Sequence, residues 1–283
     1  MKLEAGQVAV ITGAGSGIGA ALAHACAGRG MHVVAADIEF EAAERTADAL
    51  RGQGGEALAV AVNVAHRDAV RHLAERTRQV FGGCHLLCNN AGVSINRQVA
   101  ECSAADWEWV WSVNVAGITH AIEAFMPMLR QQAAPSHIVN TASMAGLIPL
   151  PGFGAYVASK YAVVGLSEVL HQELTGSATG VSILCPGVVD TRIFASERNR
   201  FDGSEGPARA QAQAEPEQGN GGAMKTDFDD AYNRMLSPQE VAGITLAAVE
   251  QERLYVATHP EWLTLFKQRA SAIDRAFGDA VAH

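Results

Sequence analysis

Residues 12–19 read T-G-A-G-S-G-I-G, between a short apolar run that ends at 11 and an alanine-rich stretch at 20–29. An apolar run of this length predicts a buried parallel strand, and the alanine-rich stretch a helix. The glycines then form the turn between them, spaced G-x-x-x-G-x-G. Gly13 lets the chain turn sharply off the strand, Gly17 lets the backbone come close to a pyrophosphate, and Gly19 lets the helix pack on the sheet. The free N–H groups at a helix N-terminus suit phosphate. A plain glycine turn is the alternative, but the strand–turn–helix setting favours dinucleotide binding.

The same rhythm continues. Apolar runs at 31–36, 57–62, 85–88, 137–142, 180–185 and 253–257 alternate with helical stretches at 40–51, 66–81, 103–132 and 154–175, and with a helix that starts at Ser237-Pro238. Residues 103–132 read as one long helix. The alternation predicts an α/β fold: a Rossmann-type, doubly wound, seven-stranded parallel sheet with helices on both faces, as a single domain over 1–283. One stretch breaks the pattern. Residues 192–235 are rich in Gly, Gln and Glu with little apolar periodicity, and follow a strand's C-terminal end, so they are expected to act as a substrate lid.

Composition narrows the function. The net charge of −9 comes without any basic run, which argues against nucleic acid. No cationic start leads into a long apolar stretch and no run reaches membrane-spanning length, so neither secretion nor a membrane partner is expected. The five cysteines, Cys26, Cys84, Cys88, Cys102 and Cys185, follow neither a disulfide nor a zinc pattern. No metal and a cytoplasmic location are the expectations.

Asp37 ends the second strand, 18 residues beyond Gly19. A carboxylate there can accept the ribose hydroxyls of an adenosine and would repel a 2′-phosphate, which favours NAD over NADP; capping of the next helix is the plainer reading. Tyr156 and Lys160 are four apart on one helical face. A free tyrosine titrates near about 10, too high for proton transfer near neutrality, and a neighbouring ammonium lowers it. Ser143 follows strand five, where its hydroxyl can hold a substrate oxygen. Asn114 sits mid-helix, where asparagine is unfavourable. Singly, each has an ordinary structural reading as a cap, a core ring or a solvated charge.

Together, the 12–19 turn, Asn89-Asn90-Ala91-Gly92, Asn114, Ser143, Tyr156-x-x-x-Lys160 and Pro186-Gly187 resemble the classical short-chain dehydrogenase/reductase family in content and order over residues 7 to about 191. The resemblance implies NAD as cofactor, Tyr156 as general acid/base, Ser143 as the group that orients the carbonyl or alcohol, Lys160 as ribose contact and pKa-lowering neighbour, and Asn114 as holder of a relay water. It implies cofactor contacts from Gly13, Ser16, Gly17, Ile18 and Gly19, from Asp37 and Ile38, and from Asn90, Ala91, Gly92 and Thr141. Pro186, Gly187, Val189 and Thr191 would face the nicotinamide carboxamide. The family often has Asp-Val after strand three; here Asn63-Val64 stands there, and an amide still reaches adenine. The resemblance implies a homodimer or homotetramer paired through helices 103–132 and 154–175, with the tryptophans, Phe125, Met126 and Met128 as interface candidates. It also suggests an extra C-terminal helix at about 260–278.

The expected substrate pocket is Ser143, Met144, Ala145, Phe153, Val188 and Phe194. Its apolar character points to a hydrophobic secondary alcohol or ketone, with a 3-oxoacyl thioester or a polyol as alternatives. A catalytically silent nucleotide-binding protein is the non-enzyme alternative. Only Arg97, Arg192 and Arg198 are candidates to clamp a carboxylate.

Overall fold

The computed structural model describes residues 1–132, 134–200 and 234–281. Seven parallel strands form one sheet: β1 (Val8–Thr12), β2 (His32–Asp37), β3 (Ala57–Ala61), β4 (Leu86–Asn89), β5 (Ser136–Thr141), β6 (Thr179–Cys185) and β7 (Tyr255–Ala257), in the order β3-β2-β1-β4-β5-β6-β7. The chain winds outward from β1 in one direction to β3 and in the other to β7. The strand order therefore reverses at β1, and the crevice beyond the C-terminal ends of β1 and β4 is where open sheets of this kind bind ligands.

The helices are α1 (Gly17–Ala27), α2 (Phe40–Gly52), α3 (Arg67–Phe81), α4 (Ala104–Trp111), α5 (Gly117–Gln131), α6 (Gly154–Glu173), α7 (Pro238–Glu250) and α8 (Leu263–Val281). They cover both faces of the sheet. Along β1, Ala9 and Ile11 face one core with Leu22 and Cys26 of α1 and Leu246 and Val249 of α7. Val8 and Val10 face the other, with Leu73 of α3, Phe125 and Leu129 of α5 and Leu170 of α6. Burial on both faces explains why the strands read as continuous apolar runs rather than alternating ones. The predicted fold class holds.

Three local readings are corrected. The helix expected over 103–132 is broken by a π turn, Ser112–Ala116, that separates α4 from α5. Phe125 is fully buried in the core, so it cannot serve an interface; the ring packs where an amphipathic helix meets the sheet. The C-terminal helix begins later, at Leu263, after a 3-10 turn at Pro260–Trp262. Of the expected lid, residues 201–233 lie outside the described residues. Among the described residues no helix is long and apolar enough to cross a membrane.

Candidate active site

A cavity of about 770 Å³ runs along the C-terminal edge of the sheet, from Asp37 and Glu39 at one end to Phe153, Phe194 and Trp262 at the other. The glycine turn forms its floor. Gly13 and Gly17 have φ of +69° and +53°, a region side chains rarely adopt. At Gly19 a Cβ would lie 2.0 Å from the Gly13 carbonyl oxygen and 2.7 Å from Asn90 Nδ2, so the helix start can close on the turn only with glycine there. Gly19 itself is buried beneath the cavity rather than on its wall.

Asp37 does more than end β2. Its Oδ2 accepts the Gly15 N–H at 2.8 Å and its Oδ1 accepts the Glu39 N–H at 3.0 Å. The carboxylate thus ties the glycine turn to the start of α2 while still lining the cavity. Gly15 has no role in the sequence reading, yet a Cβ there would meet Ala42 Cβ at 2.6 Å. Its position between the three assigned glycines was the only available signal. Asn90 and Ala91 donate their N–H groups to Thr12 Oγ1 at 3.0 and 3.1 Å, which clips the 89–92 stretch to the end of β1. Asn63 and Val64 line the same end, and the Asn63 amide oxygen accepts the Ala65 N–H at 3.0 Å.

Ser143, Tyr156 and Lys160 converge at the cavity's middle. Ser143 leaves β5 through a 3-10 turn, Met144–Gly146; its Oγ accepts the Ala145 N–H at 3.0 Å and donates to Pro186 O at 3.3 Å. The Gly146 backbone rests on the Lys160 carbonyl, where a Cβ would come within 2.6 Å. Lys160 is buried; its Nζ donates to Thr141 O at 2.9 Å and lies 5.6 Å from the Tyr156 ring centre. Burial lowers its pKa to about 8, against a small opposing pull from Cys185. The Tyr156 phenol shifts opposite to the sequence expectation. Burial pushes it above its usual value, and the Ser143 hydroxyl, not the ammonium, is the group that draws it back. The desolvation of an anion in this pocket outweighs an ammonium held by a backbone carbonyl.

Asn114 sits in the π turn, fully buried behind the cavity wall. Its Oδ1 accepts the Val93 N–H at 2.8 Å, and its Nδ2 donates to Val93 O and Ser159 Oγ at 2.9 and 3.0 Å. The Ser159 hydroxyl donates to Tyr156 O at 2.7 Å. The amide therefore braces the 92–93 backbone against the helix that carries Tyr156 and Lys160. A mid-helix asparagine is accommodated here because the π turn displaces it from the regular ladder.

The loop of Pro186, Gly187, Val188, Val189 and Thr191 roofs the cavity. Thr191 Cγ2 lies 3.0 Å from where a Gly17 Cβ would stand, so the loop comes down onto the glycine turn. Beyond it, Leu150, Phe153, Val188, Ile193, Phe194 and Trp262 line the far end. Phe153 packs edge-on to Tyr156 at 6.5 Å and against Phe194 at 6.2 Å. Met144 and Ala145, expected in this pocket, are corrected: they are 3% and 1% exposed and pack into the core beneath it, because the 3-10 turn directs them inward. Leu150, Ile193 and Trp262 were not foreseen; they come from separate segments with no local motif.

The 3-10 stretch Ile193–Asn199 crosses over the cavity and is fastened on both sides. Ser196 Oγ accepts the Ser94 N–H at 2.9 Å and donates to Ser94 O at 3.0 Å. Arg198 pairs with Glu39 at 3.1 Å, and Arg200 with the buried Asp106 at 2.6 Å, its guanidinium 5.4 Å over the Trp109 ring. Arg97 also pairs with Asp106 at 2.9 Å, and Arg192 is 4.0 Å from Glu39. The three arginines considered as carboxylate clamps therefore already face carboxylates. Trp109, on the opposite side of α4 from its neighbours Trp107 and Trp111, lines the cavity; its two-residue offset from each was the sequence signal. No group of three or more His, Cys, Asp or Glu among the described residues could hold a metal ion.

The cavity fits a dinucleotide. The positive-φ glycines expose backbone N–H groups at a helix N-terminus, the carboxylate of Asp37 closes one end, and Thr141 Oγ1 is a buried hydroxyl without a protein partner on the cavity wall. The comparisons agree. Residues 7–201 match the family model for short chain dehydrogenases. The crystal structure of a short chain dehydrogenase/reductase from Burkholderia phymatum in complex with NAD superposes with a TM-score of 0.85 at 39% identity, covering 98% of this chain and 97% of that one. The CLA biosynthesis dehydrogenase/reductase of Lactiplantibacillus plantarum is 31% identical over 277 residues, 96% of this chain and 95% of that protein. The 1-deoxy-11-beta-hydroxypentalenate dehydrogenase of Streptomyces arenae is 32% identical over 261 residues, 90% of this chain and 83% of its own length.

Proposed function

The chain belongs to the short-chain dehydrogenase family, and from that premise we propose that it interconverts hydrophobic secondary alcohols and their ketones. It is an NAD-dependent oxidoreductase of this family's type, as the family match and the NAD-bound relative establish. The observation that carries the substrate proposal is the far end of the cavity. Leu150, Phe153, Val188, Ile193, Phe194 and Trp262 surround the Ser143 and Tyr156 hydroxyls with apolar surface, and the nearby arginines are paired. A relative named for a hydroxylated compound, the hydroxypentalenate dehydrogenase, supports the same reading.

In this proposal Ser143 and Tyr156 share the substrate oxygen, and Tyr156, ionised to the phenolate, takes the alcohol proton as general base. NAD, when bound, supplies the hydride acceptor. Lys160, held by Thr141 O, offsets the phenolate charge before that transfer and relays the proton that Tyr156 releases when it ionises again. With its pKa brought down to about 8, Lys160 is placed to exchange a proton near neutrality. Asn114 contributes by bracing: through Val93 and Ser159 it fixes where the backbone of Tyr156 sits relative to the 92–93 stretch. Asp37, Ile38, Asn63 and Val64 would hold the adenosine, the 13–19 turn the pyrophosphate, and Thr191 and the 186–189 loop the nicotinamide. Exposed Trp111 and Val169 support oligomer formation through α4–α5 and α6, and five free cysteines support a cytoplasmic location.

The test is a panel of aliphatic, alicyclic, aromatic and steroidal secondary alcohols with NAD, followed by NADH absorbance, alongside 3-oxoacyl thioesters and polyol ketones with NADH. Turnover of the apolar alcohols at KM values well below those of polyols is the expected outcome. Turnover confined to thioesters or polyols overturns the substrate proposal.

A further inference from the structure

Behind the 186–189 loop lies a histidine that the mechanism above does not use. His259 is 1% exposed and does not line the cavity. Its Nε2 is 3.1 Å from Val188 O and 3.0 Å from Arg234 O. Carbonyl oxygens only accept, so Nε2 carries the ring proton and donates to both. Its Nδ1 lies 3.0 Å from the Gly187 N–H, which only donates, and 2.7 Å from Thr258 Oγ1. Nδ1 is therefore an unprotonated acceptor, and the partners fix one neutral tautomer.

The contact is also steric. A Cβ on residue 187 would lie 2.6 Å from His259 Cγ, so the loop backbone sits directly against the imidazole. Only glycine allows this approach. A neutral imidazole presents a donor and an acceptor on opposite edges of one rigid ring, which lets it hold the Gly187 N–H and the Val188 C=O at once. Trp262, three residues on, packs edge-on to the same ring at 6.5 Å and lines the cavity.

We propose that His259 is a positioning residue: from outside the cavity it sets the backbone of residues 187–188, and with it the place offered to the nicotinamide, and it joins that loop to the segment that supplies Trp262. The inference rests on the reading that the 186–191 loop receives the nicotinamide. A histidine kept only for packing would contribute to stability and nothing else, so the two roles part in binding rather than in melting temperature.

The experiment compares two ligands by titration calorimetry on the full chain: NADH, and ADP-ribose, which lacks the nicotinamide. His259→Phe keeps a ring beside Trp262 and removes every polar contact. NADH affinity is expected to fall roughly tenfold, the scale of one or two lost hydrogen bonds, with ADP-ribose changed by less than about twofold. His259→Asn, which keeps an acceptor within reach of the Gly187 N–H, should recover part of the loss, and it carries the comparison if the Phe variant does not fold. Equal losses for both ligands, or no loss for either, overturn the proposal. Thr191→Val separates the two levels. If it weakens NADH selectively while the His259 variants do not, only the role of His259 fails; if neither does, the placement of the nicotinamide at this loop fails and takes the inference with it.

Discussion

The two ends of the cavity are built by different rules. At the Asp37 end the shape is set by backbone: positive-φ glycines, a Cβ excluded 2.0 Å from a carbonyl, and a carboxylate holding two N–H groups. At the Trp262 end it is set by side chains from four separate segments, 150–153, 188, 193–194 and 262, which share only apolar character. Backbone requirements permit one residue type each. Apolar walls permit many, and tolerate exchange of one for another of similar volume. The first end therefore commits the chain to a ligand, and the second, under the proposed function, is free to vary with the substrate. Ser143, Tyr156 and Lys160, to which the proposed function gives proton transfer, lie on the boundary between them.

That contrast can be broken by substitution. Tyr156→Phe, at the boundary, should lower kcat about 10³-fold while NADH affinity by fluorescence titration stays within about twofold. Retained turnover would remove Tyr156 from the chemistry. Gly19→Ala forces the α1 start away from Gly13 O; NAD affinity should fall between about tenfold and hundredfold, with the ranking of alcohols unchanged. A changed ranking would mean the two ends are coupled. Asp37→Ala should weaken NAD by about tenfold and narrow its preference over NADP, and unchanged selectivity would leave Asp37 a purely structural clasp of Gly15 and Glu39. Phe194→Ala should raise KM for bulky alcohols by roughly three- to tenfold and leave the NAD dissociation constant alone. The smallest effect concerns Lys160. Its folded pKa, about 8, lies below the ordinary 10.5, so the folded chain binds fewer protons than the unfolded one across that window and gains stability as pH rises through it. The charge is a cost below pH 8. The melting temperature of Lys160→Met relative to the parent should therefore be higher at pH 7 than at pH 10.5, by about 2 °C or more; a pH-independent difference would place Lys160 in a more solvated setting.

What was legible in the sequence follows the same division. The parallel, doubly wound sheet and the 12–19 turn were readable because buried strands and obligatory glycines leave local marks. Asp37 was readable by its position after β2, but its grip on Gly15 was not, since a hydrogen bond to a backbone N–H leaves no mark in residue identity. The tyrosine–lysine spacing was readable, whereas the direction of the Tyr156 shift was not: it depends on how deeply Phe153 and the core cluster of the 3-10 turn bury the phenol. Asn114 looked out of place in a helix, and the π turn explains why it is tolerated. Met144 and Ala145 were misassigned because a turn of three residues reverses which side chains face a cavity.

The sheet order has one more consequence. Among the described residues β7 is an edge strand that pairs with β6 alone, over three residues, and it leads into Thr258, His259 and Trp262. An edge strand is held by one ladder only, so exchanging it in a grafting experiment disturbs a single pairing. Under the proposed function, residues 255–262 thus form a cassette: replacing them would resculpt the substrate wall and its buttress in one step, while the glycine turn and Ser143, Tyr156 and Lys160 keep their own supports.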